Sequence, residues 1–399
     1  MIAPVEAQLP TVKALLPAED EASWVSGDAE PADHVPARED DVAMILYTSG
    51  TTGRPKGAML THGNFWWNGA NGMHTVDFLQ NDVTLTAAPL FHIGGLNVTT
   101  LVTLQKGGLV VLHRAFDPGR ALADIAAHRV TTMFGVPAMF QFMCQHPAFA
   151  QTDLSSVRVL VVGGAPCPIP VLKAYLARGV PMQQGYGLTE TAPMVSFLSP
   201  EFALDKVGSS GKTPIFVDLK LVDVGGRRVT IPGAKGEVLV RGPNVSPGYW
   251  NLPEATRAAF DADGWFRTGD AAYLDEDGFL FICDRVKDMI ISGGENVYPA
   301  EVESGLMRHP AIADVAVIGE PDEKWGEAIV AIVVLKAGQM LTIEELRGFA
   351  GEFLARYKLP GRMETIAALP RNATGKILKF RLRQMFARPD GAPAGANPA

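Results

Sequence analysis

The sequence predicts an α/β protein in three parts. A large region holds a mostly parallel sheet flanked by helices, followed by an antiparallel, barrel-like module and a small α+β region. Three observations predict this. From Asp41 to about Pro200, short apolar runs alternate with helical stretches, as at 131–136 before Pro137 and at 157–162 before Gly163-Gly164. That alternation marks parallel strands joined by crossover helices, with ligand chemistry expected in loops at the strand C-termini. Near Lys206 the character changes: 215–222 alternates with period two, and 228–231 and 237–241 follow between glycine-rich turns. Such short, turn-punctuated runs read as antiparallel strands. A third region opens near Asp284, with a helix expected over 299–308, strands over 314–318 and 328–335, and a helix from Thr342. The corresponding boundaries are 1–206, 207–284 and 285–386, with a Pro/Gly/Ala-rich tail at 387–399 expected to be disordered.

Each element has its own signal. Residues 1–40 are rich in Pro, Ala and acidic residues and show little core pattern beyond 9–16. The apolar run 42–46 reads as a buried strand leading into a glycine-rich loop. Thr342 with Glu345 forms a capping box, and Ile343, Leu346, Phe349 and Phe353 supply one apolar face for the helix that follows.

Bulk composition narrows the function. The 399 residues are 47% hydrophobic and 20% charged, enough for a substantial core. The longest apolar runs have strand length and fall short of a membrane span. The first ten residues lack the basic and apolar regions of a signal peptide. A net charge of −8 argues against broad nucleic-acid binding, which needs a dominant positive field. Cys144, Cys167 and Cys283 lack metal-site spacing and read as reduced thiols. A cytoplasmic protein is expected; a homodimer is compatible with the sequence.

The most informative stretch is 47–57, Y-T-S-G-T-T-G-R-P-K-G. Glycines, hydroxyls and a lysine expose backbone N–H groups and a mobile cation around a concavity suited to phosphate oxygens. It is not a Walker A loop, because Lys56 is followed by Gly57 rather than Ser or Thr. Further motifs follow: A-P-L-F-H-I-G-G at 88–95, G-G-A-P at 163–166 and Q-G-Y-G-L-T-E at 184–190. Then come G-E-V-L-V-R-G at 236–242, W-F-R-T-G-D at 265–270, the run from Asp284 to Asn296, and P-R-N-A-T-G-K at 370–376.

In this order and spacing the set resembles the adenylate-forming superfamily of acyl-CoA synthetases, adenylation domains and luciferases, with the fatty and aryl acyl-CoA synthetases as the best match. The resemblance implies two steps. A carboxylate attacks the α-phosphate of ATP to give an acyl-adenylate and pyrophosphate; the thiol of coenzyme A then expels AMP. By the same resemblance, Thr48, Ser49, Gly50, Thr51, Thr52, Gly53 and Lys56 grip the β- and γ-phosphates. Tyr186, with Gly187, stacks on adenine, and Gly164, Ala165 and Pro166 form its backbone wall. Thr189 meets the α-phosphate, Glu190 holds Mg2+, Asp270 accepts the ribose hydroxyls, and Arg285 adds a ribose or phosphate contact. Lys376 is the adenylation lysine, delivered when a mobile C-terminal domain closes about a hinge at Lys287. After rotation that domain presents Gly293 and Gly294 beside the thiol's tunnel.

His92 falls where the family places the mouth of the acyl pocket. Ile93, Leu96, Asn97, Phe134, Val136 and Met194 are expected to line it without a cation. That favours a fatty or aryl acid over an amino acid, whose amine needs a nearby carboxylate, or a dicarboxylate, which needs an Arg or Lys clamp. Two other readings stay open: a luciferase-like oxygenase, and a truncated, inactive or non-catalytic nucleotide-binding member. The second arises because the glycine loop lies much deeper in family chains. The resemblance therefore implies that a stretch of roughly 100–150 residues is missing ahead of Met1.

Overall fold

The computed structural model describes residues 36–48, 55–371 and 377–386. The expectations for the N-terminal residues 1–35, for loop residues 49–54, for 372–376 and for the tail lie outside these described residues. Within them, β1 (Val42–Thr48) pairs antiparallel with β2 (Lys56–Thr61), and the glycine loop connects the two. β1 is not the buried strand expected from its apolar run: Val42 is 42% and Tyr47 66% exposed. Among the described residues its only strand partner is β2, so little covers its outer face. β2 runs directly into α1 (His62–Thr75), which a capping box starts. The Thr61 hydroxyl accepts the Asn64 N–H at 3.1 Å, and the Asn64 side-chain oxygen accepts the Thr61 N–H at 2.9 Å.

The main sheet comprises β3 (Val83–Thr86), β4 (Leu109–Leu112), β5 (Thr132–Gly135), β6 (Val159–Val162), β7 (Met182–Gly187) and β8 (Met194–Phe197). Their order is β4-β3-β5-β6-β7-β8; the first five are parallel and β8 is antiparallel to β7. Helices α2 (Ile93–Asn97), α3 (Thr100–Gln105), α4 (Pro118–Ala127), α5 (Pro137–Gln145) and α6 (Ile169–Leu176) fill the crossovers. Every residue of β5 and β6 is buried, which is why both read as continuous rather than alternating apolar runs. Leu85, Met133 and Leu160 from the strands pack with Leu122, Phe140 and Met143 from α4 and α5. Each such side chain contributes about 1.5–3 kcal/mol relative to exposure. Strands β5, β6 and β7 all end at one edge of this sheet, where a crevice for ligand is expected.

A second sheet contains β9 (Asp218–Val222), β10 (Arg228–Val229), β11 (Gly236–Arg241), β12 (Phe266–Leu274) and β13 (Leu280–Arg285). It is wholly antiparallel, in the order β10-β9-β11-β12-β13, and α7 (Pro253–Ala258) joins β11 to β12. The strand expected over 215–222 begins only at Asp218. Val217 N–H donates to the Pro214 carbonyl in a preceding turn, and Ile215 is 71% exposed.

The remaining strands are β14 (Ile290–Ser292), β15 (Glu295–Val297), β16 (Ile312–Asp322), β17 (Gly326–Leu335) and β18 (Arg362–Thr365). β17 lies between β16 and β14, with β18 parallel to it. Its Ile329, Ala331 and Val333 face a core with Val302 and Leu306 of α8 (Pro299–Leu306) and Leu346 of α9 (Ile343–Ala350). Val330 and Ile332 face the opposite core with Leu382 of α10 (Lys379–Phe386). Burial on both faces explains the unbroken run A-I-V-A-I-V-V-L. The Thr342–Glu345 capping box forms, with the Thr342 hydroxyl accepting the Glu345 N–H at 3.2 Å. Phe353, however, falls beyond the end of α9; it meets Phe349 edge-on from the following turn, with centroids 5.4 Å apart. Among the described residues, no helix is long and apolar enough to cross a membrane.

Candidate active site

A cavity of about 680 Å3 opens at the C-terminal ends of β5, β6 and β7. The register of the antiparallel sheet builds one wall. Asp270 on β12 lies opposite Arg285 on β13, and Arg285 Nε meets Asp270 Oδ1 at 2.7 Å. The hydroxyl of Tyr186, on β7, donates to Asp270 Oδ2 at 2.6 Å. Burial, reinforced by the Asp270 charge, pushes the Tyr186 phenol well above its ordinary pKa. The phenol therefore stays protonated and donates. Asp270 is only 4% exposed, so its charge is desolvated and compensated by these two groups.

After β7 a single 3-10 turn, residues 189–191, carries Thr189 and Glu190 into the cavity. Glu190 Oε1 accepts the Tyr249 hydroxyl at 2.9 Å, and the Glu190 carbonyl accepts the Ser246 N–H at 2.8 Å. The Lys56 ammonium lies 4.9 Å from the centre of the Tyr249 ring. Thr48 faces Lys56 across the β1–β2 ladder, and both line the cavity. Tyr249 was not singled out from the sequence. Its surroundings, G-Y-W at 248–250, show only an aromatic residue after a glycine.

The opposite side is apolar. His92, Ile93, Phe134, Val136 and Met194 line it as expected, together with Met139, Val161 and Phe197. Phe134 forms its floor, wedged between Gly94 and Gly163: a Cβ on Gly94 would lie 2.8 Å from Phe134 Cζ, and one on Gly163 3.3 Å from Cε2. Leu96 and Asn97 are not part of the lining. They lie between Gly95 and Val98, which do line it, and the fully buried Asn97 amide donates instead to the Ala192 carbonyl. Burial lowers the His92 pKa from its ordinary value, favouring the neutral ring. The lining cations, Lys56, Arg267, Arg285 and Lys287, come from β2, β12, β13 and the turn just after β13, away from the β5–β6 wall. Burial also lowers the Lys287 ammonium.

The cavity thus brings together Thr48, Lys56, His92, Gly164, Tyr186, Gly187, Thr189, Glu190 and Arg285, with Asp270 held at its wall by Tyr186 and Arg285. Ala165 and Pro166 continue from Gly164 as exposed residues. Gly293 and Gly294 form the β14–β15 turn outside the cavity, at φ +62° and +83°. Ser49, Gly50, Thr51, Thr52, Gly53 and Lys376 lie outside the described residues.

A cavity with a carboxylate, hydroxyl and cation wall beside an apolar recess has the chemistry an enzyme would need to take a nucleotide next to an organic acid. Residues 3–250 match the AMP-binding enzyme family and residues 301–376 match the AMP-binding enzyme C-terminal domain. The chain belongs to the AMP-binding enzyme family. It is 48% identical over 361 residues to a feruloyl-CoA synthase of Amycolatopsis sp, covering 90% of this chain and 73% of that protein. It is 43% identical to a long-chain-fatty-acid–CoA ligase of Mycobacterium tuberculosis, covering 90% of this chain and 70% of the ligase. Among solved structures it resembles the o-succinylbenzoate CoA synthetase of Bacillus subtilis bound to its acyl-adenylate intermediate. The TM-score is 0.79 at 40% identity, over 87% of this chain and 70% of the synthetase. The same synthetase bound to ATP and a magnesium ion matches with a TM-score of 0.79 at 39% identity, over 89% of this chain and 73% of that one.

Proposed function

We propose that this chain is an AMP-forming acyl-CoA synthetase, an acid–thiol ligase acting on an aryl or fatty monocarboxylic acid. The observation that carries this reading is the single cavity that joins the Lys56–Glu190–Tyr186 wall to the Phe134 recess. A neutral, apolar recess suits an uncharged acyl body, and among the described residues the β5–β6 side of the cavity carries no cation to clamp a second carboxylate.

The residues have separate tasks. Tyr186 offers a ring face for adenine. Asp270, a two-oxygen acceptor, suits a vicinal diol. Lys56 and Thr48 neutralise and orient the outer phosphates, because phosphoryl transfer needs positioning and charge neutralisation above all. Thr189 donates toward the α-phosphate, where the acid's carboxylate attacks and pyrophosphate departs. Glu190 and the Thr48 and Thr189 hydroxyls are hard oxygen donors of the kind magnesium takes. No group of three or more His, Cys, Asp or Glu able to hold a metal occurs among the described residues. When bound, magnesium would neutralise phosphate charge. Lys376 is assigned to the same step by its motif. In the second step the thiolate of coenzyme A attacks the acyl carbonyl and AMP leaves. The segment 285–386 is proposed as the lid that swaps Lys376 for the Gly293-Gly294 turn, hinged at Lys287. Three unpaired cysteines support a cytoplasmic setting.

The deciding experiment is carboxylate-dependent exchange of labelled pyrophosphate into ATP, across aryl and fatty acids. Exchange with a neutral aryl or fatty acid is expected, with thioester on adding coenzyme A. Lys376→Ala and Glu190→Ala should each reduce exchange at least about 100-fold, the scale of losing one preorganised charge-stabilising group. A folded wild-type chain without exchange for any acid would overturn the reading, and full exchange in Lys376→Ala would remove that lysine's role.

A further inference from the structure

We infer that Tyr249 is a positioning residue that couples the carboxylate of Glu190 to the ammonium of Lys56; this rests on the roles proposed above for those two groups. One short antiparallel bridge, closed by two backbone hydrogen bonds, builds the arrangement. The segment 246–250 runs antiparallel to β2, with Tyr249 bridging Ala58. The Met59 N–H donates to the Gly248 carbonyl at 2.9 Å, and the Trp250 N–H to the Gly57 carbonyl at 2.8 Å. Lys56 stands two residues before Ala58 on the same face of β2, the diagonal position from which a long side chain reaches across a ladder. Its ammonium accordingly sits over the Tyr249 ring, at cation–π distance.

The other end of Tyr249 is tied to Glu190, and so is the backbone three residues before it. Its hydroxyl donates to Glu190 Oε1 at 2.9 Å. Three residues earlier, the Ser246 N–H holds the Glu190 carbonyl at 2.8 Å, and the Ser246 hydroxyl donates to the Met59 carbonyl at 2.6 Å. One segment therefore fixes the backbone of Glu190, the direction of its carboxylate and the seat of Lys56. A carboxylate whose one oxygen is held by a hydroxyl presents the other in a fixed direction. Such outer partners of a metal-holding group typically contribute 10–100-fold in metal affinity. The ring face, meanwhile, restrains the lysine without neutralising it, leaving its charge for phosphate.

Two substitutions separate the functions. Tyr249→Phe keeps the ring and removes the hydroxyl; Tyr249→Leu removes both. Binding of α,β-methylene-ATP is measured by calorimetry, with MgCl2 and with EDTA, alongside thermal melting to establish folding. In Tyr249→Phe the gain in affinity from magnesium should shrink about tenfold, with metal-free binding unchanged. In Tyr249→Leu, metal-free binding should also weaken severalfold. The magnesium requirement of pyrophosphate exchange should rise in both. A Tyr249→Phe protein with the wild-type magnesium gain overturns the proposal, and this variant decides alone if Tyr249→Leu fails to fold. If the wild type itself shows no magnesium-dependent binding, the functional reading fails instead.

Discussion

Asp270, proposed above for the ribose, shows how a buried carboxylate stays satisfied without a ligand. Its two oxygens are held by Tyr186 and Arg285, so a nearly buried charge never stands alone. An arriving diol exchanges hydrogen bonds rather than desolvating a bare carboxylate. Asp270→Asn keeps the shape, loses the charge and leaves the Arg285 cation without its ion pair. Loss of a hydrogen bond to a charged group costs about 1.5–3 kcal/mol. The KM for ATP should therefore rise about tenfold or more, with a smaller change in the KM for the acid, measured by initial rates. An unchanged KM for ATP would remove Asp270 from the ribose site. Tyr186, Glu190 and Asp270 were legible in the sequence because each sits in a local motif. Tyr249 was not, since it reaches the cavity by lying beside Ala58 and Glu190, which are distant in the chain. Leu96 and Asn97 were misplaced for a related reason: nearness to His92 in sequence does not say which way one turn of α2 faces.

At the level of elements, α1 is the clearest case of local sequence setting the site. Its capping box begins at Thr61, where β2 ends, five residues after Lys56. The Asn64 side-chain N–H groups also donate to the Pro243 and Val245 carbonyls, each at 3.0 Å. The cap thereby ties the helix to the segment that carries Tyr249. Thr61→Ala should lower stability by about 1 kcal/mol, seen as a lower denaturant midpoint at unchanged slope. A midpoint equal to wild type would show that packing alone starts α1. The alternation of elements and the Thr342 cap were readable because they depend on short spacings. The extents of β1, β9 and α9 were not, because exposure of Val42, the turn at 214–217 and the stop before Phe353 are decided by neighbours in space.

At the level of the whole molecule, the C-terminal region is held to the antiparallel sheet by a small clasp. Lys235 lies 3.9 Å from the centre of the Tyr298 ring and 3.6 Å from Glu301 Oε2. Beside it the Ala300 N–H donates to Asp284 Oδ2 at 2.7 Å. If segment 285–386 swings as proposed, this clasp must open. Lys235→Ala should raise hydrogen–deuterium exchange in the first turn of α8 while leaving β5 and β6 protected. Equal exchange in both proteins would mean that the clasp does not restrain the segment. The three-part architecture was visible in the sequence, but this clasp joins a turn residue to a helix more than sixty positions away.

The floor of the apolar recess has a consequence for evolution. Phe134 fits so closely against Gly94 and Gly163 that a Cβ on either would press on its ring, at 2.8 and 3.3 Å. One base change in the Gly94 codon adds a methyl group 2.8 Å from that ring, and losing the ring would open the space behind it. If the recess takes the acyl body as proposed, single codon changes at its floor would alter which acids fit, while the residues proposed for ATP, on other strands, would stay in place.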